Sequence, residues 1–350
     1  MPDIVGFDVM SSALAMAGTD AGEEVFLAAD VGGTHARLGL IAFGSDRDAP
    51  TVLAYRSYEC VRYAGLETIV QAFCAEFAAK PRRFALACAG FLHDGAIVHS
   101  NLAWPVVPGA LARALALNNV EVLNDFEALA YGTAYLDAGS VMPLHIPQLG
   151  RAPVAGPVVV LGPGTGLGVA VRLPHAQPAV LATEAGHIQL AARVGREQQV
   201  FGELTRAETH VPYDHVLSGP GLMRIYQALC RLERQPVTLD RPAAITAAAC
   251  AGSDALAVET LQLFCGWLGS YAGDLAMLYG ATGGIYLAGG FLTGIVGFLR
   301  QSTFTSRFLD KGVMRPFLQK VAVHVVDHAQ LGVLGAASWL IGRQAQGRAT

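Results

Sequence analysis

The run Phe26-Leu27-Ala28-Ala29-Asp30-Val31-Gly32-Gly33-Thr34-His35-Ala36-Arg37-Leu38-Gly39-Leu40 decides how the rest of the chain is read. An apolar segment ends in a carboxylate, two glycines and a threonine, and a second apolar segment follows at once. That pattern predicts strand, tight turn, strand. Glycines let backbone approach a ligand closely, and Thr34 and Arg37 add a hydroxyl and a planar cationic fork. A partial echo stands at Val158-Val159-Val160-Leu161-Gly162-Pro163-Gly164-Thr165-Gly166-Leu167-Gly168-Val169-Ala170-Val171. Two such hairpins, far apart, point to two related halves with a phosphate-bearing ligand between their turns. Neither turn is a Walker loop, because no Lys-Ser or Lys-Thr follows the glycines. Nor is either a dinucleotide fingerprint: Gly164, Gly166 and Gly168 lack its spacing, and an apolar strand follows them rather than a helix.

Composition agrees with a large two-lobed molecule. At 350 residues, two lobes are the default expectation. With 53% hydrophobic and 15% charged residues there is ample material for wide sheets covered by helices. A formal charge of −4 supplies no basic field and argues against non-specific nucleic-acid binding. Cys60, Cys74, Cys88, Cys230, Cys250 and Cys265 are scattered with no C-x-x-C pair, as expected of small buried hydrophobes in a reducing cytosol. The opening residues 1–24 contain no Lys or Arg and are mildly acidic, which reads as an extension rather than an export signal. Gly280–Leu299 lacks charge over a membrane-spanning length, but its glycines favour a buried strand, a turn and a helix start. The expectation is a soluble, cytoplasmic protein.

Strands and helices alternate along the chain, which points to α/β architecture. Strands are expected at Thr51–Ser57, Phe84–Ala89, Val120–Leu123, Ala179–Thr183, Gly284–Ala288 and Val321–Val326. Helices are expected at Leu66–Ala79, Ala110–Leu117, Glu127–Tyr135, Leu222–Leu232 with Ser218 as N-cap, Ala243–Ala251, Ala255–Tyr279, Phe298–Leu309 and Leu331–Gln344. Ser140–Pro157 is rich in Pro and Gly and is the candidate change of lobe.

Several side chains could carry chemistry. Asp30 ends a strand against Gly32 and Gly33, where a carboxylate can hold Mg²⁺ directly or through water while backbone N–H groups meet phosphate oxygens. An aspartate that satisfies its own turn is the alternative. Asp125 follows Asn124 at the end of a strand and precedes a helix. It could accept the proton of a substrate hydroxyl during phosphoryl transfer, or serve as the helix N-cap. Glu184 and His187 flank Ala185-Gly186, a pairing suited to reading sugar hydroxyls from a loop. No third ligand accompanies them at zinc spacing, and His324 and His328 have no companion cluster, so histidine metal sites are not expected.

Together Asp30–Arg37, Asn101-Leu102-Ala103-Trp104, Asn124-Asp125-Phe126, Gly162–Gly168, Glu184–His187, Val216–Leu222 and Leu287–Gly290 resemble, in order, the motifs of the bacterial glucokinase family. That family lies within the wider hexokinase–actin–heat-shock ATPase-like fold. The resemblance implies a two-lobed actin-like ATPase (ribonuclease H-like) fold, with mixed sheets flanked by helices and an active-site cleft between the lobes. Residues 25–135 plus 330–350 would form the small domain and 136–329 the large one, with 1–24 as an N-terminal extension. It further implies ATP-dependent phosphorylation of the glucose 6-hydroxyl, the entry step of glycolysis. Asp125 would be the base, and Asn101, Asn124, Glu184, His187 and Asp214 the sugar contacts. Asp30, Gly32, Gly33, Thr34 and Arg37 fall on the first phosphate loop, and Gly164, Thr165 and Gly166 on the second. Gly289 and Gly290 fall near the adenosine. ATP and Mg²⁺ are the implied cofactors, with Asp30 on the metal through water; a homodimer is the implied assembly, with no nucleic-acid or membrane partner.

Four positions depart from the family pattern. Asp214 stands where the family usually has a sugar-contacting glutamate, one methylene longer. Pro163 removes a backbone N–H from the second loop. His35 replaces a common asparagine, and Ala185 a glycine. A regulatory paralogue that senses hexose with little turnover is the alternative these departures motivate, though no basic helix pair for DNA accompanies them.

Overall fold

The computed structural model describes residues 24–44, 49–98, 102, 104–147, 155–175, 179–206, 209–326 and 329–347. The chain begins with β1 (Glu24–Val31), β2 (His35–Phe43), β3 (Thr51–Glu59), α1 (Leu66–Glu76), β4 (Arg83–Cys88), β5 (Phe91–His93), β6 (Ala96–Val98), α2 (Pro108–Ala114), β7 (Asn119–Asn124) and α3 (Asp125–Gly132). It continues with β8 (Val141–His145), β9 (Val158–Pro163), β10 (Leu167–Leu173), β11 (Ala179–Thr183), α4 (Arg196–Leu204), α5 (Gly219–Leu232), α6 (Pro242–Ala251) and α7 (Ala255–Tyr279). It closes with β12 (Gly284–Ala288), α8 (Gly290–Gly294), α9 (Val296–Gln301), α10 (Phe304–Leu309), α11 (Arg315–Leu318), β13 (Val323–Val326) and α12 (Leu331–Gly347). Residues through Tyr135 with those from Ala329 onward make one compact unit, and Leu136–His328 make the other.

In the first unit the sheet runs β3-β2-β1-β4-β7. β1 is antiparallel to β2 and parallel to β4, and β4 is parallel to β7. Alternation along β1 sends Leu27, Ala29 and Val31 to one core, shared with Ile69, Phe73 and Leu111 of α1 and α2. Phe26 and Ala28 go to the opposite core, with Ala128 of α3 and Val333, Ala336 and Leu340 of α12. α3 and α12 approach so closely that a Cβ on Gly335 would collide with the Ala128 carbonyl.

In the second unit the order is β11-β10-β9-β12-β13-β8. β10 is antiparallel to both β9 and β11, whereas β9, β12 and β13 are mutually parallel along the row. Its core centres on α7, whose Phe264, Trp267 and Tyr271 are fully buried among α5, α6 and α10. The hairpin-then-parallel plan of the first unit is therefore repeated strand for strand, and β8 is added antiparallel at the far edge.

Several expected elements change shape. Phe298–Leu309 is two helices, because Ser302 turns the chain and its Oγ accepts the Phe304 N–H at 3.1 Å. α3 starts at Asp125 rather than Glu127, and α2 starts at Pro108 with proline in its first turn. β8, the β5–β6 hairpin and α4 have no counterpart in the expectations above. Gly280–Leu299 holds a turn, β12, α8 and the start of α9. Among the described residues no single helix is long and apolar enough to cross a membrane. The N-terminal extension 1–24 lies, except for Glu24, outside the described residues.

Candidate active site

Parallel register brings the carboxyl ends of three strands of the first unit to one edge: Val31 pairs with Cys88, and Cys88 with Asn124. Asp30 and Asp125 sit one residue to either side of this row. Buried Cys88 lies on the strand between them, and its thiol is pushed up to about 12 by burial, with the charges of Asp125 and Asp30 adding to the effect. Two carboxylates thus share one sheet edge.

Asp30 is half-buried and faces Arg37, its cross-strand partner, with Nη1 donating to Oδ2 at 3.3 Å. Burial pushes the Asp30 carboxyl above the ordinary range, and the Arg37 charge and hydrogen bond oppose that. The first turn of α12 comes directly onto this group, so a Cβ on Gly332 would stand 2.7 Å from the carboxylate carbon. The turn itself is closed by Gly32 N–H donating to His35 O at 3.0 Å and tied to the end of β3 by Cys60 N–H donating to Thr34 O at 2.9 Å. Thr34 is exposed, and its Oγ1 lies 3.1 Å from His35 Nδ1. Gly33 remains partly open beside it.

Asn124, rather than Asp125, is the N-cap of α3. Its Oδ1 accepts from Phe126 N–H at 2.9 Å and Glu127 N–H at 3.2 Å. Asp125 is the first helical residue, half-buried, and its Oδ1 accepts the Phe126 N–H at 3.0 Å. The cap uses only the oxygen of the Asn124 amide. Asn101 lies outside the described residues; Trp104 Nε1 donates to Tyr63 O at 3.2 Å.

The second unit gathers the other group of residues. In the glycine turn, Gly164 N–H donates to Gly166 O at 2.7 Å, with Thr165 at its tip. Gly289, at φ +126°, ends the neighbouring parallel strand beside Pro163, and Gly290 opens α8. Glu184 and His187 are exposed side chains on a turn whose intervening Ala185 and Gly186 are buried. That turn is fixed at three points. Tyr271 Oη donates to Ala185 O at 2.6 Å, His210 Nε2 lies 2.9 Å from His187 O, and Gly186 rests directly on the Leu167 carbonyl where β10 leaves the glycine turn. Asp214 belongs to the adjoining turn Tyr213–His215, and its Oδ1 accepts the Leu167 N–H at 2.6 Å. The candidate sugar and phosphate residues of this unit are therefore neighbours.

Sequence reasoning missed Tyr271, Cys88 and Gly332. Tyr271 is one aromatic in an apolar helix, and nothing local marks its hydroxyl as the support of a loop 86 residues away.

A family model described as Glucokinase matches residues 27–342. The chain belongs to the glucokinase family. Membership makes it a sugar-phosphorylating transferase. A glucokinase-like protein of Xylella fastidiosa is 43% identical over 91% of this chain and 96% of its own length. The crystal structure of a glucokinase from an Antarctic psychrotroph superposes with a TM-score of 0.79 at 34% identity, covering 91% of this chain and 99% of that one. A ROK-family glucokinase from Streptomyces griseus, solved with glucose and AMPPNP, shares the fold at a TM-score of 0.58 and 21% identity, over 91% and 99% of the two chains. The actin-like architecture of two mixed sheets flanked by helices is common to these glucokinases.

Proposed function

We propose that this chain transfers the γ-phosphoryl group of ATP to the 6-hydroxyl of glucose, with Asp125 as general base. The observation that carries the reading is the division of labour at the start of α3. Asn124 is the N-cap and holds two N–H groups, one of which it shares with Asp125 Oδ1, and Asp125 stands at the sheet edge it shares with Asp30. A carboxylate there can accept the hydroxyl proton as the oxygen attacks phosphorus. Asn101, Asn124, Glu184 and His187 serve to orient the sugar, and the N–H groups of the two glycine turns serve to hold phosphate oxygens. The S. griseus neighbour, bound to glucose and AMPPNP, supports glucose and ATP as the substrate pair.

ATP would arrive with Mg²⁺. Among the described residues no group of three His, Cys, Asp or Glu is placed to hold a metal ion. A lone carboxylate such as Asp30 fits an ion that keeps water and phosphate oxygens as its other ligands. When bound, the ion neutralises charge on the transferred group. We place this reaction in the cytoplasm, in a homodimer, as the first step of glucose breakdown; sedimentation of the purified chain tests the dimer.

The decisive experiment is coupled ADP release with glucose, fructose and mannose, on the wild type and Asp125→Ala. Glucose-stimulated ADP formation is expected, and the variant should lose about 10³-fold or more in kcat while still binding glucose. An equally active variant would remove Asp125 from the chemistry. Glucose binding with no ADP formation by the wild type would instead identify a hexose sensor.

A further inference from the structure

We propose that Asp214 is a positioning residue for the nucleotide-binding glycine turn. The inference rests on the kinase reading above, and it adds a task to the sugar contact that the family resemblance implies for this position. One short segment grips the turn at both ends. On the exit side, Asp214 Oδ1 accepts the Leu167 N–H at 2.6 Å, a short charge-assisted bond. On the entry side, Gly219 N–H donates to Gly164 O at 2.8 Å. Between these two attachments the segment is braced internally: Ser218 Oγ donates to Asp214 O at 2.7 Å and accepts the Gly221 N–H at 3.0 Å. Asp214 and the first helical residue of α5 are thus the two jaws of a clamp.

Side-chain length fits this task. A Cβ added at Gly166 would stand 2.8 Å from Asp214 Oδ1, so the carboxylate already lies against the turn with no room to spare. A glutamate would have to fold back or displace the turn to make the same bond. The clamp is also rooted beside the candidate sugar residues. Tyr213 stacks on Tyr271 with ring centroids 4.1 Å apart, and Tyr271 holds the Glu184–His187 turn through Ala185 O. Tyr213 N–H donates to Ile188 O at 3.1 Å, continuing the same connection. Asp214 thereby ties the geometry of the phosphate turn to the turn that carries Glu184 and His187.

The test uses the full chain as wild type, Asp214→Asn, Asp214→Ala and Asp214→Glu. KM is measured separately for glucose and MgATP, and MgAMPPNP binding is measured by calorimetry without sugar. Asp214→Ala leaves the Leu167 N–H without its acceptor and should weaken MgATP, and MgAMPPNP in the absence of sugar, by about tenfold. Asp214→Asn keeps an Oδ1 acceptor and should bring nucleotide affinity back to within about threefold of wild type. Asp214→Glu should raise the KM for MgATP more than that for glucose, and it carries the test if the alanine variant does not fold. A loss confined to glucose in the alanine variant, no recovery in the asparagine variant, or unchanged nucleotide binding throughout would overturn the clamp. If the wild type phosphorylates no sugar, the kinase reading fails, whereas MgAMPPNP affinities across the series still decide the role of Asp214.

Discussion

At the first glycine turn the carboxylate belongs to the strand that leads into it: Asp30 is a residue of β1, paired across the hairpin with Arg37. At the second turn β9 ends in Pro163 with no acidic side chain, and a carboxylate arrives from Asp214, 47 residues beyond the amide it holds. Both hairpins occupy the same place in sheets of the same order. Their carboxylates nevertheless do different work. The Asp30 carboxylate meets the Arg37 guanidinium and the opening turn of α12, so its polar partner is a side-chain charge. The Asp214 carboxylate meets a backbone N–H, so it is used to hold shape. A repeated fold can therefore fill equivalent turns with unlike chemistry, one suited to a metal–phosphate ligand and one to backbone donors.

The sharpest way to break this contrast is to remove the first carboxylate. Asp30→Ala is expected to lower kcat/KM for MgATP by about 10²–10³-fold, well beyond the roughly tenfold loss expected at Asp214. Folding stability should change little, because burial already disfavours the charged form of Asp30. Initial rates against MgATP and a thermal melt on the same preparation check both halves. Equal losses at Asp30 and Asp214 would abolish the distinction between charge and shape.

Glycine substitution separates the two turns by stability instead. Gly186 lies against the Leu167 carbonyl, and both sides of that contact are backbone, so Gly186→Ala should cost about 2–4 kcal/mol. At Gly32 the nearest atom to an added Cβ is His35 O at 3.9 Å, an ordinary contact. Gly32→Ala should therefore cost less than about 1 kcal/mol. Urea titration of both variants gives the comparison directly, and similar losses would show that the second turn is not braced through Gly186.

What the sequence disclosed follows from where each interaction lies along the chain. α7 and β12 match their expected limits because their signals are local: Asp254 caps α7, Gly280 ends it in the left-handed conformation, and Gly289 closes β12. Asp30 and Asp125 were visible as acidic residues at the ends of apolar strands. The division between Asn124 and Asp125 was not, since both are good caps and only the backbone decides which one serves. β8 was hidden by Pro143 and by the bulge in its pairing with β13, both features of an edge strand. α4 is charged and weakly apolar, and its buried Glu197 is answered by Arg307, more than a hundred residues away. Asp214 is the same case at the site: the family resemblance pointed to a sugar contact, and the backbone amide it holds, that of Leu167, lies on another strand.

The smallest expected difference concerns acid. His145 of β8 and His324 of β13 are neighbours in the second sheet, and their Nε2 and Nδ1 atoms respectively are buried without hydrogen-bond partners. Burial lowers the pKa of both imidazoles. In the unfolded chain each would titrate near its ordinary value of about 6.5, so below that pH the unfolded state binds more protons than the native one. Stability is thus fully present above about pH 6.5 and is lost as pH falls toward the lowered native values. The described histidines of the first unit, His35 and His93, lie at a turn and at the exposed end of a short hairpin. Calorimetric scans between pH 7.5 and 5 should therefore show the transition of the second unit moving down first, and His324→Asn should flatten that slope. A parallel shift of both units, or an unchanged slope in the variant, would detach acid sensitivity from this pair.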